Sequence, residues 1–190
     1  MLRYERVAVI DPFPRRLGRV LSVDPRSRRI AYAYFKDGEL KDCRLRNIRQ
    51  DRASVRVRLH VVPYLTQILD ECDPHALLIP DVRSAGARRR GSHATLAVKA
   101  LAREALSRGI AVHVVRSDDV KTFFRHPDGS PVKNRDNIHT LISQQFPELQ
   151  TMLPAPRMKA WESERHNTPL FNAVAMYLAW QKKPTISNLV

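Results

Sequence analysis

The sequence predicts one α/β domain built on a mixed sheet with helices on both faces. Three observations carry this. Two strand-like runs, Arg29–Lys36 and Glu39–Ile48, are joined by the turn pair Asp37-Gly38, a strong hairpin signal. Two further apolar runs, Ala76–Ile79 and Ile110–Val115, have strand length and stand among helical patterns, which favours parallel pairing. The order is β-β-β-α-β-α-β followed by helices, and no internal repeat or low-complexity tract interrupts it.

Taken in order, residues 1–17 hold two prolines and no sustained period, so they read as an N-terminal extension able to add an edge strand. Arg19–Asp24 is a short apolar strand ahead of the hairpin. Val61, Val62, Leu65, Ile68, Leu69 and Cys72 share one helical face and predict a helix over Ser54–Glu71. Pro63 inside it predicts a kink or two helical pieces, because proline removes a helix hydrogen bond. After Asp73-Pro74 and the Ala76–Ile79 strand comes a loop, Val82–Ser92, rich in arginine. A helix from Ala94 to Arg108 stops at Gly109, a favourable residue just past a helix end. Short helices follow at Asp118–Phe124 and Asn134–Gln145, separated by a His-Pro-Asp-Gly turn. The last helix opens with Thr168 as cap and Pro169 in its first turn, and carries Leu170, Phe171, Val174, Tyr177 and Leu178 as its apolar stripe. The domain is therefore 18–183, with 184–190 as a C-terminal tail.

Composition narrows the function. With 43% apolar residues the chain can build a sizeable core, which excludes wholesale disorder. No apolar run reaches the ~18 residues of a membrane helix, and no signal-peptide pattern opens the chain, so a soluble, cytoplasmic protein is expected. Two cysteines, Cys43 and Cys72, cannot make a disulfide framework and read as buried or half-buried thiols. A net charge of +14 attracts polyanions, of which nucleic acid is the commonest. An anionic membrane is the weaker alternative, since no basic amphipathic helix with a Trp/Leu/Phe face is present. Without a G-x-x-x-x-G-K-[ST] motif, nothing points to nucleotide hydrolysis.

Three polar residues stand where an α/β sheet usually places its site. Asp24 closes the first strand before Pro25, Asp81 follows the Ala76–Ile79 strand, and Asn172 lies near the start of the final helix, off its apolar stripe. Acids gathered from separate strand ends hold divalent cations, which bind phosphate and activate water.

These residues bring a resemblance into view. VLSVDPRSRRIAYAYF is similar to the first hairpin of the RNase H-like superfamily in its RuvC-type Holliday-junction resolvase branch, where a strand ending Asp-Pro-Gly precedes one of the form G-Y-A. The similarity continues in order through the long helix, ALLIPD, IAVHVVRSDDVKTFF and the closing helix FNAVAMYLAW, about residues 18–181. The resemblance implies an RNase H-like five-stranded mixed sheet, antiparallel hairpin strands first and parallel strands after. It also implies a metal-dependent endonuclease hydrolysing phosphodiester bonds in branched or duplex DNA, with two Mg²⁺ (or Mn²⁺) roughly 3.5–4 Å apart. Asp24, Asp81 and Asn172 would be its metal ligands and Glu164 a substitute acid.

The sequence departs from that pattern at three places. The strand-end acid is Pro80 here, so Asp81 would serve from the next position, which requires the strand to break there because side chains alternate faces. The terminal-helix acid is Asn172, which keeps one oxygen but loses a charge. The glycine after Asp-Pro is Arg26. Glu162, Glu164 and His166, in WESERHN, could compensate. The second reading is accordingly a catalytically degenerate nucleic-acid-binding protein on the same fold. Either would use Arg26, Arg28, Arg83, Arg88, Arg89, Arg90 and Lys121 on phosphates, reading the backbone of a duplex or junction and not stacking on single-strand bases because aromatic residues are few, with DNA expected ahead of RNA. Phe123, Phe124, Tyr177 and Trp180 are expected in the core. A resolvase-like assembly would be a two-fold homodimer.

Overall fold

The structure is a computed structural model and describes residues 18–26, 29–48, 54–82, 91–124, 130, 132, 135–155 and 165–181. The 1–17 extension, the arginines at 28, 83, 88, 89 and 90, Glu162, Glu164 and the tail lie outside the described residues. Strands β1 (Arg19–Pro25), β2 (Arg29–Lys36) and β3 (Glu39–Asn47) form an antiparallel meander. The β2–β3 turn has Asp37 at φ 52° and Gly38 at φ 90°, the left-handed pair a tight primed hairpin turn requires. Helix α1 (Ser54–Cys72) leads to β4 (Ala76–Pro80), and α2 (Gly91–Ser107) to β5 (Ala111–Val115). Both β4 and β5 run parallel, giving the order β3-β2-β1-β4-β5. Helices α3 (Ser117–Phe123), α4 (Arg135–Gln145) and α5 (Thr168–Gln181) complete the chain, with a 3-10 turn at Pro147–Met152. The predicted mixed five-stranded sheet with helices on both faces is what the structure has.

Alternation along the strands divides the interior in two. Leu21, Val23, Ile30, Tyr32, Leu77 and Ile79 face α1 and α2, where Val61, Leu65, Ile68, Leu69, Val98 and Leu101 cover them. Val20, Ala31, Ala33, Phe35, Ala76 and Leu78 face α5, together with residues of α4 and the 3-10 turn. The small residues on this face let α5 come close. Phe35 stacks on Tyr177 with ring centroids 3.5 Å apart and planes 6° from parallel. Phe124, Tyr177 and Trp180 are buried and Phe123 packs against the same cluster, so all four lie in or against the core. In α5 every residue from Thr168 to Trp180 is buried except Asn172, which is half-buried. Sequence placed the α5 start one residue late, and α1 is one continuous helical span despite Pro63, with the proline on its exposed side.

Candidate nucleic-acid site at the end of the central strand

Asp24 ends the central strand of the sheet and is fully buried, with 0% exposure. It shares its side of β1 with Val20 and Ser22. The Ser22 hydroxyl, also fully buried, donates to the Ala173 carbonyl of α5 over 2.6 Å. That bond brings α5 onto the strand next to Asn172, whose Nδ2 donates to Asp24 Oδ2 at 3.0 Å. Arg26 closes on the same oxygen: its Nε donates at 3.0 Å and its Nη2 stands 2.9 Å away in an ion pair. A buried carboxylate is thus held by a guanidinium and an amide, with 15% of the Arg26 side chain still reaching solvent. Isolated burial of such a charge would be strongly unfavourable, and these contacts offset it.

Asp81 is arranged differently. Pro80 pairs with Val115, a residue of the α5-side core, and the Asp81 N–H donates to the Val115 carbonyl at 2.9 Å. The ladder therefore runs unbroken through Pro80. Ala76 and Leu78 point to α5 and Leu77 and Ile79 to the other face, so alternation puts Pro80 on the side of Asp24. Val82, two residues on, packs against the α1–α2 core, so the alternation does not continue past the end of the strand. Asp81 follows β4, outside the strand. Among the described residues no group of three or more His, Cys, Asp or Glu converges.

The remaining described candidates sit apart. Lys121 is 62% exposed on α3 and bridges Asp118 at 3.0 Å, a surface pair of the kind that contributes little. His166 is exposed, and its carbonyl, with that of Arg165, accepts from Arg29 Nη1 at 3.2 and 3.4 Å. Arg29 thereby ties the entry to α5 to the β1–β2 end of the sheet. Sequence reasoning named Arg29 only as a grip on a nucleic-acid backbone beside Asp24, without this anchoring role, and missed Ser22. It found Arg26 but took it for a phosphate contact alone, without its hold on Asp24. A hydroxyl inside the otherwise apolar run Val20–Val23 was the signal for Ser22.

The residues described do not fit a pair of Mg²⁺ ions. Asp24 Oδ2 faces nitrogen donors, Asn172 turns its nitrogen and not its oxygen toward it, and β4 ends in Pro80, which brings no carboxylate. Hard divalent cations need converging oxygens.

Comparison with solved structures decides the architecture. The chain superposes on Thermus thermophilus RuvC in complex with a Holliday junction substrate, with a TM-score of 0.59 and 13% identity, over 85% of this chain and 90% of that one. It has the RuvC-type fold. A second Thermus thermophilus RuvC structure matches at TM-score 0.59 and 14% identity, over 85% of this chain and 91% of that one. The yeast mitochondrial Holliday junction resolvase Ydc2 matches at 0.52 and 12%, over 86% of this chain and 78% of its own. No protein-family model and no curated protein matches this chain by sequence. No helix among the described residues is long and apolar enough to cross a membrane.

Proposed function

We propose that this RuvC-type chain binds branched or duplex DNA through its phosphates, and that its acidic centre has lost the metal-holding set of a nuclease. The observation that carries this is the closure of Arg26 on Asp24, with Asn172 donating from α5. The charge of +14 supplies the attraction for a polyanion, and a neighbour of the same fold is seen with a Holliday junction. Arg26 stands at the centre itself. Arg28, Arg83, Arg88, Arg89, Arg90 and Lys121 are the further phosphate contacts this reading assigns.

A metal-dependent endonuclease is the second reading, and one observation favours it. Arg29 holds the entry to α5 against the end of the sheet that carries Asp24, so the neighbouring Glu162 and Glu164 are close in sequence to a tethered point. In that case Asp24, Asn172, Glu164 and Asp81 would be the residues to bind Mg²⁺ or Mn²⁺, and Arg26 would have to leave Asp24. A homodimer belongs to this reading, because symmetric cutting of a junction needs two sites.

One experiment separates them. Labelled four-way junction, duplex and RNA hairpin are incubated with the protein in Mg²⁺, Mn²⁺ or EDTA, and binding and cleavage are followed in the same tubes. Salt-sensitive DNA binding without cuts, unchanged by Asp24→Asn, is expected. Metal-dependent cuts that vanish in Asp24→Asn would establish the nuclease instead.

A further inference from the structure

We infer that the Arg26 guanidinium is a built-in cation that takes the place of a divalent metal at Asp24, so that this centre receives a nucleic-acid phosphate without any metal ion. The phosphate half of the inference rests on the DNA-binding reading above; the metal half does not.

Four features of the site combine. Asp24 is completely buried, so its negative charge requires a partner wherever the chain is folded. Arginine is protonated at every physiological pH, which makes this partner permanent. The two nitrogens of Arg26 at 3.0 and 2.9 Å lie on the same carboxylate oxygen that Asn172 approaches at 3.0 Å. An entering metal would have to displace the guanidinium and turn the Asn172 amide round, and it would gain no ligand from Pro80. The layering of charge then fixes what an approaching molecule meets. Asp24 has no exposed surface while the Arg26 side chain keeps 15%, with its Nη2 buried, so an approaching molecule can touch the arginine but not the carboxylate. A phosphodiester oxygen arriving at this end of the sheet meets Arg26 before Asp24. The guanidinium has five N–H donors in a planar fork, which lets one arginine hold a carboxylate and a phosphate together. Negative Asp24 behind it orients the fork and does not meet the phosphate.

The test uses the full-length protein and reads metal and DNA separately. Mn²⁺ uptake is followed by loss of the free-ion electron paramagnetic resonance signal, for wild type, Asp24→Asn, Arg26→Gly and Arg26→Gly/Asn172→Asp. Junction-DNA affinity is followed by fluorescence anisotropy in EDTA and in Mg²⁺ at matched ionic strength. Wild type and Asp24→Asn should take up Mn²⁺ alike, and the double variant should gain one ion. Wild-type DNA affinity should be the same in EDTA and Mg²⁺ and fall roughly 10- to 100-fold in Arg26→Gly, the loss expected for a charged hydrogen bond. Arg26→Gly leaves a buried charge alone, so Arg26→Gly/Asp24→Asn is run beside it as a well-compensated control and should show the same loss of DNA affinity. Mn²⁺ uptake by wild type that disappears in Asp24→Asn would overturn the inference, as would DNA affinity indifferent to Arg26 in both variants. Absence of any DNA binding by wild type would instead remove the DNA-binding reading, and the Mn²⁺ result would still decide whether Arg26 replaces the metal.

Discussion

Ser22 shows how tightly single residues are fitted around this centre. Its hydroxyl lies 2.6 Å from the Ala173 carbonyl with no exposed surface, so strand and helix are in contact there through one oxygen. Ser22→Ala should lower stability by about 1 kcal/mol, the usual net value of a hydrogen bond whose acceptor keeps a helical partner. Ser22→Val should cost more, about 2–3 kcal/mol, because added methyl groups meet the α5 backbone. Urea midpoints of the two variants give the order, and equal midpoints would show that close packing is not the constraint. The thiols make a second prediction at this scale. Burial, then the charge of Asp42, pushes Cys43 up to about 11 and Cys72 up to about 12. Since the thiolate is the reactive form, both should resist Ellman's reagent at neutral pH and react at once in urea. The linkage has a definite sign. Thiols whose folded values are raised favour the native state fully below the ordinary value of 9.0, and that contribution is lost as pH climbs through about 11 and 12. Melting temperatures should hold steady to pH 9 and then fall, less steeply in Cys72→Ala.

Among the elements, α1 carries a cost that can be removed. Pro63 lies within a continuous helix on its exposed side, where it lacks the N–H that an interior helical residue donates. Pro63→Ala should raise stability by about 2 kcal/mol, read from urea denaturation, since alanine regains the helix bond and gives up only the entropy advantage of proline. No gain would mean that the helix already accommodates the ring. This element also shows what sequence can and cannot reveal. Periodicity located α1 from Val61 to Cys72, Asp37-Gly38 located the hairpin, and Thr168-Pro169 located the start of α5, because each signal is contained within a few neighbouring residues. Pro63 was read as a kink or a junction of two helical pieces because a local rule says so, and the helical span runs through it, with Leu65, Ile68 and Leu69 packed on the sheet just beyond. The 3-10 turn at Pro147–Met152 had no periodic signal to betray it. The site was legible in its members but not in its wiring. Asp24 and Asn172 were both singled out, yet their bond spans 148 residues, and Arg26 could be seen beside Asp24 without showing which way its side chain turned.

For the whole molecule, charge is the property that governs binding. A chain of +14 that neutralises six to ten phosphates releases as many counterions, so its DNA affinity should fall about a thousandfold or more between roughly 50 and 200 mM salt. A titration of anisotropy against salt gives the slope, and a flat response would show that the cationic surface does not meet the backbone. The arrangement of α5 has a different consequence, one of timing. Its apolar surface packs across one side of the sheet, and Asn172 follows Asp24 by 148 residues. At cellular rates of synthesis that interval lasts roughly 7–30 s. Throughout it the side of the sheet bearing Ala31, Ala33, Phe35 and Leu78 lacks α5, and Asp24 lacks Asn172. The newborn chain is thus sticky where the finished protein is sealed, and translation halted before Thr168 would release a polypeptide fit for a chaperone or a protease and for no DNA.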